Sequence, residues 1–289
     1  MRSGFATLVG RPNVGKSTLL NQMLGEKVSI VSDKPQTTRT QVRGVLTRRA
    51  PTGEPDAQVV FVDTPGIHKP RTLLGERLNE TAADATEDVD VVVLVLDATA
   101  PVGKGDRFVA ERVPRDALVV VNKVDIASRE QVLTQLAAAA RLDKAEYFPV
   151  SARTGDGVDA LVAAIIRRLP EGPLLYPEDM VTDVPEAFWV AELVREQLLA
   201  RAREELPLSI ATRVVEWDWP RIRVEILVER DSQKGIVIGK GGLLLKEVGM
   251  AVREQLPPGA YLDLFVKVDR NWQRRPRALD RLLSMEADL

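Results

Sequence analysis

Eight residues near the N-terminus, Gly10-Arg11-Pro12-Asn13-Val14-Gly15-Lys16-Ser17, constrain this chain more than any other stretch. They fit the pattern G-x-x-x-x-G-K-[ST], follow the apolar run 5–9 and open a predicted helix, with Thr18 the next candidate nucleotide-binding residue. Glycines let the backbone wrap a phosphate with consecutive N–H groups pointing inward, and the following helix adds its positive end. Lys16 is then placed to reach the β- and γ-phosphates, and the Ser17 hydroxyl to ligate Mg²⁺. Such a loop needs a strand before it and a helix after it, which points to an α/β sheet.

Short apolar runs at 5–9, 59–62, 91–96, 118–121 and 147–150 alternate with helix-like stretches. Near-continuous β-branched runs of this kind predict buried parallel strands. The residue after each run is distinctive: Gly10, Asp63, Asp97, Asn122 and Ser151. Open α/β sheets bind ligands beyond the carboxyl ends of their strands, so these residues stand where a site is expected. Residues 42–48 and 58–62 flank a turn-rich segment with Pro51, Gly53 and Pro55, which reads as an antiparallel hairpin with its first strand at the sheet edge. The expected first domain, 1–170, is thus a mostly parallel sheet with helices on both faces.

Three further motifs stand at strand ends. Asp63-Thr64-Pro65-Gly66 offers a carboxylate to a water of the Mg²⁺ shell and a Gly66 backbone N–H to the γ-phosphate. Asn122-Lys123-Val124-Asp125 decides the base, because the Asp125 carboxylate accepts from both N1–H and the exocyclic amine of guanine. Adenine would leave that carboxylate unpaired, and such sites discriminate by several orders of magnitude. Ser151-Ala152-Arg153 adds a backbone N–H for the guanine oxygen.

These motifs, in this order, resemble those of the translation-factor-like class of P-loop GTPases. The resemblance implies that Gln36-Thr37-Thr38-Arg39-Thr40 is a switch segment whose threonine completes the Mg²⁺ shell. Thr38 is the favoured ligand and Thr37 its competitor, since spacing does not separate them. Ras-like proteins place a water-orienting glutamine after the glycine of the second motif; here that residue is Ile67, and an isoleucine cannot orient water. Slow hydrolysis is expected, with assistance from elsewhere. His68, the single histidine, is a weak candidate base. In related GTPases an asparagine at the position of Asn13 holds a K⁺ ion against the phosphates, as an arginine finger would; the competing role is simple stabilisation of the loop. The residues expected to act in hydrolysis are Lys16, Thr38, Gly66 and Asn13.

Near Pro170 the pattern changes. Pro170, Gly172, Pro173, Pro177 and Pro185 favour an extended linker over 171–186. Residues 187–205 read as an amphipathic helix closed by Pro207, followed by strands at 208–217 and 221–229. In the second strand Ile222, Val224, Ile226 and Val228 alternate with mostly charged residues, so one face should be buried and the other wet. A helix over 243–255, a strand over 261–268 and a basic helix complete a small α+β domain, 187–289. Between them, Ile238-Gly239-Lys240-Gly241-Gly242 forms a G-x-x-G loop that resembles that of a KH domain, whose loop clamps a nucleic-acid backbone. The element order fits the type II arrangement. Arg270, Arg274, Arg275 and Arg277 form a basic cluster, although the formal net charge is only −2.

Together the two parts resemble the Era family of bacterial GTPases over nearly the whole chain, including Val268-Asp269-Arg270-Asn271-Trp272. That resemblance implies binding of GTP and GDP, 16S ribosomal RNA near its 3′ end as a partner, and a role in maturing the 30S subunit. It also implies a mainly cytoplasmic protein partly associated with the inner membrane face; no obligate protein partner is evident in the sequence. Composition agrees with a cytosolic setting: no cysteine, hence no disulfides or thiolate metal sites, and no apolar run near the roughly 18 residues that span a bilayer.

Overall fold

The computed structural model describes residues 1–53, 55–67, 70, 72–86, 88–201 and 209–285. The described residues cluster into two units, one formed by Met1–Val31, Thr38–Pro70 and Gly75–Asp183, the other by Ser32–Thr37, Arg71–Leu74 and Val184–Leu289.

In the first unit the valine-rich runs become a six-stranded sheet. Its strands are β1 (Arg2–Val9), β2 (Val42–Arg49), β3 (Pro55–Asp63), β4 (Val91–Asp97), β5 (Leu118–Asn122) and β6 (Glu146–Pro149). Their spatial order is β2-β3-β1-β4-β5-β6. Only the edge pair β2–β3 is antiparallel; the other pairs are parallel. Between the strands run α1 (Lys16–Leu24), α2 (Leu73–Asp84), α3 (Lys104–Ala110), α4 (Arg129–Ala140) and α5 (Val158–Arg168). On one side Val92, Leu94 and Leu96 of β4 bury against Val109 and Ala110 of α3 and Ala139 of α4. With helices covering the sheet, the strands have no wet face, which is why their sequence shows no alternation. The chain leaves β1 for β3 on one side and later returns to β4 on the other. Crevices at such a reversal take ligands.

The segment expected as a linker is extended but tied to the sheet. Val45 N–H donates to Val181 O at 2.7 Å, and Thr182 Oγ1 donates to Arg43 O at 2.6 Å. Gln58 Oε1 accepts from the backbone of Leu175 at 2.7 Å and of Tyr176 at 3.0 Å. Backbone groups at the open edge of β2 thereby find partners, as exposed edges require.

In the second unit, α6 (Glu186–Arg201) precedes β7 (Ala211–Asp218) and β8 (Arg221–Val228); then come α7 (Asp231–Ile238), α8 (Leu243–Arg253), β9 (Tyr261–Val268) and α9 (Pro276–Leu283). The sheet order is β7-β8-β9, with β8 and β9 parallel. Ile222, Val224, Ile226 and Val228 form the core with Val190, Leu193 and Val194 of α6 and Val248 and Val252 of α8.

Three expectations are corrected. Helix α7 was not anticipated, because Gly235 and the β-branched Ile236-Val237-Ile238 disguise it. The second face of β8 is not wet: Glu225 is buried and held by Arg213 at 2.7 Å and Lys267 at 3.2 Å, from the strands on either side. Helix α6 is not buried on a single stripe, since Leu193, Val194, Arg195 and Glu196 are all buried in succession. The expected continuation of that helix to 205, Pro207 and the strand start at 208 lie outside the described residues, as does His68.

Candidate nucleotide and nucleic-acid sites

The glycine-rich loop is shaped by close approach. Gly15 has φ 97°, and a Cβ there would lie 2.3 Å from Asn122 Nδ2. At Gly10 a Cβ would meet Val95 O at 2.5 Å. Both positions therefore demand glycine, one for its dihedral as well as its size. Lys16 is buried, its Nζ donating to the carbonyls of Gly10 at 3.4 Å and Arg11 at 3.2 Å. Burial pushes its pKa down to about 8, against the opposing attraction of Asp63. The Arg11 side chain is engaged with Asp106 of α3, Nε to Oδ1 at 2.7 Å, so Arg11 can offer the phosphates only its backbone in this arrangement.

Beyond the loop, three oxygens converge. Ser17 Oγ lies 2.9 Å from Thr38 Oγ1 and donates to Asp63 Oδ2 at 2.7 Å. Thr38 Oγ1 also reaches that carboxylate oxygen, at 3.2 Å. Thr37 instead donates its hydroxyl to Lys34 O at 2.7 Å, so the structure brings Thr38, not Thr37, into this group. Ser29 Oγ, which no motif signals, donates to Asp63 Oδ2 at 2.8 Å. The other carboxylate oxygen, Asp63 Oδ1, is buried without a hydrogen-bond partner. A hard cation fits this set: Mg²⁺ takes one or two protein oxygens and fills its shell with waters and substrate phosphates.

Gly66 packs directly on the loop, where a Cβ would come within 2.7 Å of Pro12 N. Ile67 is buried in the core cluster that also holds Leu94, Leu96 and Val109, and its N–H donates to Gly10 O at 3.2 Å. Its side chain thus belongs to the core and faces no water.

The base-side motif holds the phosphate loop as well. Asn122 Nδ2 donates to Val14 O at 2.9 Å, and its Oδ1 accepts from Ala152 N–H at 2.9 Å. Lys123, at φ 71°, donates from Nζ to Asn13 O at 2.7 Å and Asp97 Oδ2 at 2.6 Å. Asp97 was legible only as a strand end; here it anchors the lysine. Asp125 Oδ1 accepts from Ser151 Oγ at 2.8 Å, and Oδ2 pairs with Arg153 at 2.5 Å. The Ser151 hydrogen bond, with Arg153 beside it, holds the Asp125 carboxyl below the usual range, so it is an acceptor at neutral pH.

In the second unit, Gly239 ends α7 at φ 75° and ψ 172°, where a Cβ would lie 2.8 Å from Leu244 Cβ. Gly241 and Gly242 also have positive φ, yet a Cβ at either would meet nothing within 4 Å. The tip of the loop, with exposed Lys240, therefore has open space beside it. Arg270, Arg274, Arg275 and Arg277 are all exposed, with Arg270 3.5 Å from Asp231 and Arg275 paired with Asp269.

A family model described as 50S ribosome-binding GTPase matches residues 5–123, and one described as KH domain matches residues 212–273. GTPase Era of Mycolicibacterium smegmatis is 45% identical over 299 residues, covering 97% of this chain and 98% of that protein. GTPase Era of Mycobacterium tuberculosis is 47% identical over 300 residues, with the same coverage. This chain belongs to the Era family of GTPases.

Among solved structures, Era in complex with MgGDPNP and nucleotides 1506–1542 of 16S ribosomal RNA matches with a TM-score of 0.90, 40% identity and 99% of each chain covered. A point variant of Aquifex aeolicus Era bound to GDP and AlF₄⁻ matches equally well, at TM-score 0.90, 39% identity and 99% coverage of each chain. The Era family is thus shown by both halves of the chain, and the chain is a GTPase. The family model stops at residue 123, short of Asp125 and the 151–153 motif, whose placement rests on the geometry above.

Proposed function

We propose that this Era-family GTPase is a nucleotide-controlled RNA-binding switch acting in assembly of the small ribosomal subunit. The observation that carries the reading is the convergence of Ser17, Thr38 and Asp63 at the phosphate loop, with a buried carboxylate oxygen left for a further partner. In this reading the loop backbone and Lys16 hold the phosphates, Asn122 and Asp125 hold guanine, and the 151–153 segment offers a backbone N–H to the guanine oxygen. Mg²⁺, when bound, neutralises charge on the β- and γ-phosphates. Ser17 and Thr38 would ligate it directly and Asp63 through water, while the Gly66 N–H senses the γ-phosphate. Thr38 is the member that a departing γ-phosphate releases, since it comes from a loop and not from the sheet.

Asn13, exposed at the tip of the loop, is assigned the K⁺ that offsets the absent glutamine. The Gly239–Gly242 loop positions an RNA backbone, and Arg270, Arg274, Arg275 and Arg277 supply phosphate attraction. The RNA is 16S ribosomal RNA near its 3′ end, by analogy with the Era complex described above, and the setting is the cytoplasm. Peripheral membrane association rests on the family resemblance alone; no described helix is long and apolar enough to cross a membrane.

The test is to titrate a 3′-terminal 16S RNA fragment onto the protein loaded with GDP and with GDPNP, at fixed salt. Whatever factor the nucleotide imposes on RNA affinity, RNA must impose on nucleotide affinity. Equal RNA affinities in the two states would leave two independent modules and end the switch reading.

A further inference from the structure

The nucleotide motifs stand at the carboxyl ends of the strands, and the amino ends of β5 and β6 carry a feature that none of them uses. Between α3 and α4 lies a cavity of about 470 Å³, a size at which small molecules are held. It is walled by α3, by the segment that leads into β5 and by the turn that joins α4 to β6. Asp143 makes that turn at φ 53°, a left-handed conformation common just past helix ends. The buried residues Ala110 and Val113 give the lining an apolar part.

Four cations line the same cavity, Arg107, Arg115, Arg141 and Lys144, against two carboxylates, Glu111 and Asp143. This excess of positive charge stands in a chain whose formal net charge is −2. None of the six makes a salt bridge among the described residues, although both signs line one cavity. Elsewhere in this unit exposed arginines meet carboxylates: Arg48 lies 3.5 Å from Asp159 and Arg49 2.9 Å from Glu178. The carboxyl ends of helices attract cations by themselves, which accounts for Arg141 at the end of α4. It does not account for Arg115 and Lys144, which stand close enough to repel. Lys144 is half-buried, with its Nζ donating to Val113 O at 2.9 Å. Burial first, and then the Arg115 charge, hold its pKa below the usual lysine value, against the opposing attraction of Asp143 and Asp116. Like charges gathered in a concavity focus a positive potential there, and an anion relieves the repulsion.

We propose that this cavity is a second ligand site, for a small organic phosphate. A phosphate dianion matches the charge excess, and arginine forks with a lysine point charge are the groups that take phosphate oxygens. The apolar part of the lining, and a volume larger than one phosphate group, leave room for an organic body. The site is separate from the nucleotide motifs, since its walls precede β5 and β6 whereas Asn122 and Ser151 stand at their far ends. Its ligand therefore need not compete with GTP.

The experiment loads the full chain with GDPNP and Mg²⁺, so that the phosphate loop is filled, and titrates phenyl phosphate by calorimetry at fixed ionic strength. Benzoate, with the same ring and a single charge, is the comparison. Wild type should bind phenyl phosphate with a Kd of about 1 mM or tighter. Benzoate should bind at least about tenfold more weakly. Arg115→Gln, alone and with Arg107→Gln, should weaken phenyl phosphate by about tenfold or more, at unchanged GDPNP affinity and melting temperature. Lys144→Gln should do the same, and the arginine variants carry the test if loss of the bond to Val113 unfolds that protein. Arg48→Gln, outside the cavity, should change nothing. Wild type without saturable binding overturns the proposal, as does benzoate binding as tightly as phenyl phosphate. An equal loss in Arg48→Gln also overturns it, because the attraction would then be general. A 3′-terminal 16S RNA fragment is titrated onto the same proteins. If Arg115→Gln weakens the RNA and leaves phenyl phosphate unchanged, the cations serve an RNA backbone and the proposal fails.

Discussion

Arg153 Nη2 lies 2.5 Å from Asp125 Oδ2, on the carboxylate that the sequence marks for guanine. If guanine binds at Asp125 as proposed, it competes with that guanidinium for Oδ2, while Oδ1 accepts from the Ser151 hydroxyl at 2.8 Å. The Arg153 side chain is 70% exposed, so its release costs little.

Nucleotide choice follows from this pairing. Asp125→Asn is expected to weaken GTP by about a hundredfold or more and to favour xanthosine triphosphate, whose C2 oxygen accepts from an amide. Arg153→Ala should leave GTP affinity unchanged or slightly higher. Competition binding with both nucleotides checks each variant; an Asp125→Asn protein that still prefers GTP as wild type does removes Asp125 from base recognition. Because the carboxyl titrates below its usual range, guanine preference is present above that range and disappears only as pH falls through the lowered value.

Monovalent cation dependence tests the loop. Exchanging Na⁺ for K⁺ should raise the hydrolysis rate by about tenfold or more, and Asn13→Ala should abolish the gain. A gain that survives Asn13→Ala takes Asn13 out of the mechanism. Ile67, buried at 7%, should matter for stability alone: Ile67→Val should cost about 1 kcal/mol with kcat nearly unchanged.

The two classes of glycine in the G-x-x-G loop predict opposite outcomes. Gly239→Ala forces a Cβ against Leu244 and should lower the melting temperature of the protein. Gly241 has φ 62° with open space beside it, and aspartate tolerates that backbone region better than most residues. Lys240→Asp with Gly241→Asp should therefore fold normally, lose RNA binding sharply and retain GTP affinity. An unaltered RNA affinity would show that RNA does not pass this loop.

Trp272 anchors the chain between β9 and α9. It is 1% exposed and donates from Nε1 to Ser209 O at 3.2 Å. Trp272→Ala should cost about 3–5 kcal/mol, read from the shift in urea midpoint, and Trp272→Phe distinctly less. Equal midpoints for wild type and the alanine variant would mean that this side chain does not hold the second unit together.

Local pattern was enough for much of this molecule. Each valine-rich run becomes a strand because both sheet faces are covered, and the residue that ends each run stands at the carboxyl edge by geometry alone. Gly15 and Lys16 are legible because the residues that bend the chain are consecutive with those proposed to meet a phosphate. Asn122 and Asp125 are legible for the same reason, being two residues of one turn.

What the sequence determined by itself was thus the order of the strands in the first unit, the glycine-rich loop and the Asn122–Asp125 turn, all of which depend on neighbours in the chain. Tertiary structure decided the rest. It separated Thr38 from Thr37, brought Ser29 to Asp63, sent the Ile67 side chain into the core, tied the extended 175–182 segment to β2 and buried Glu225 between two cations. Such pairings depend on register and on which faces are already covered, and no short stretch of sequence carries either.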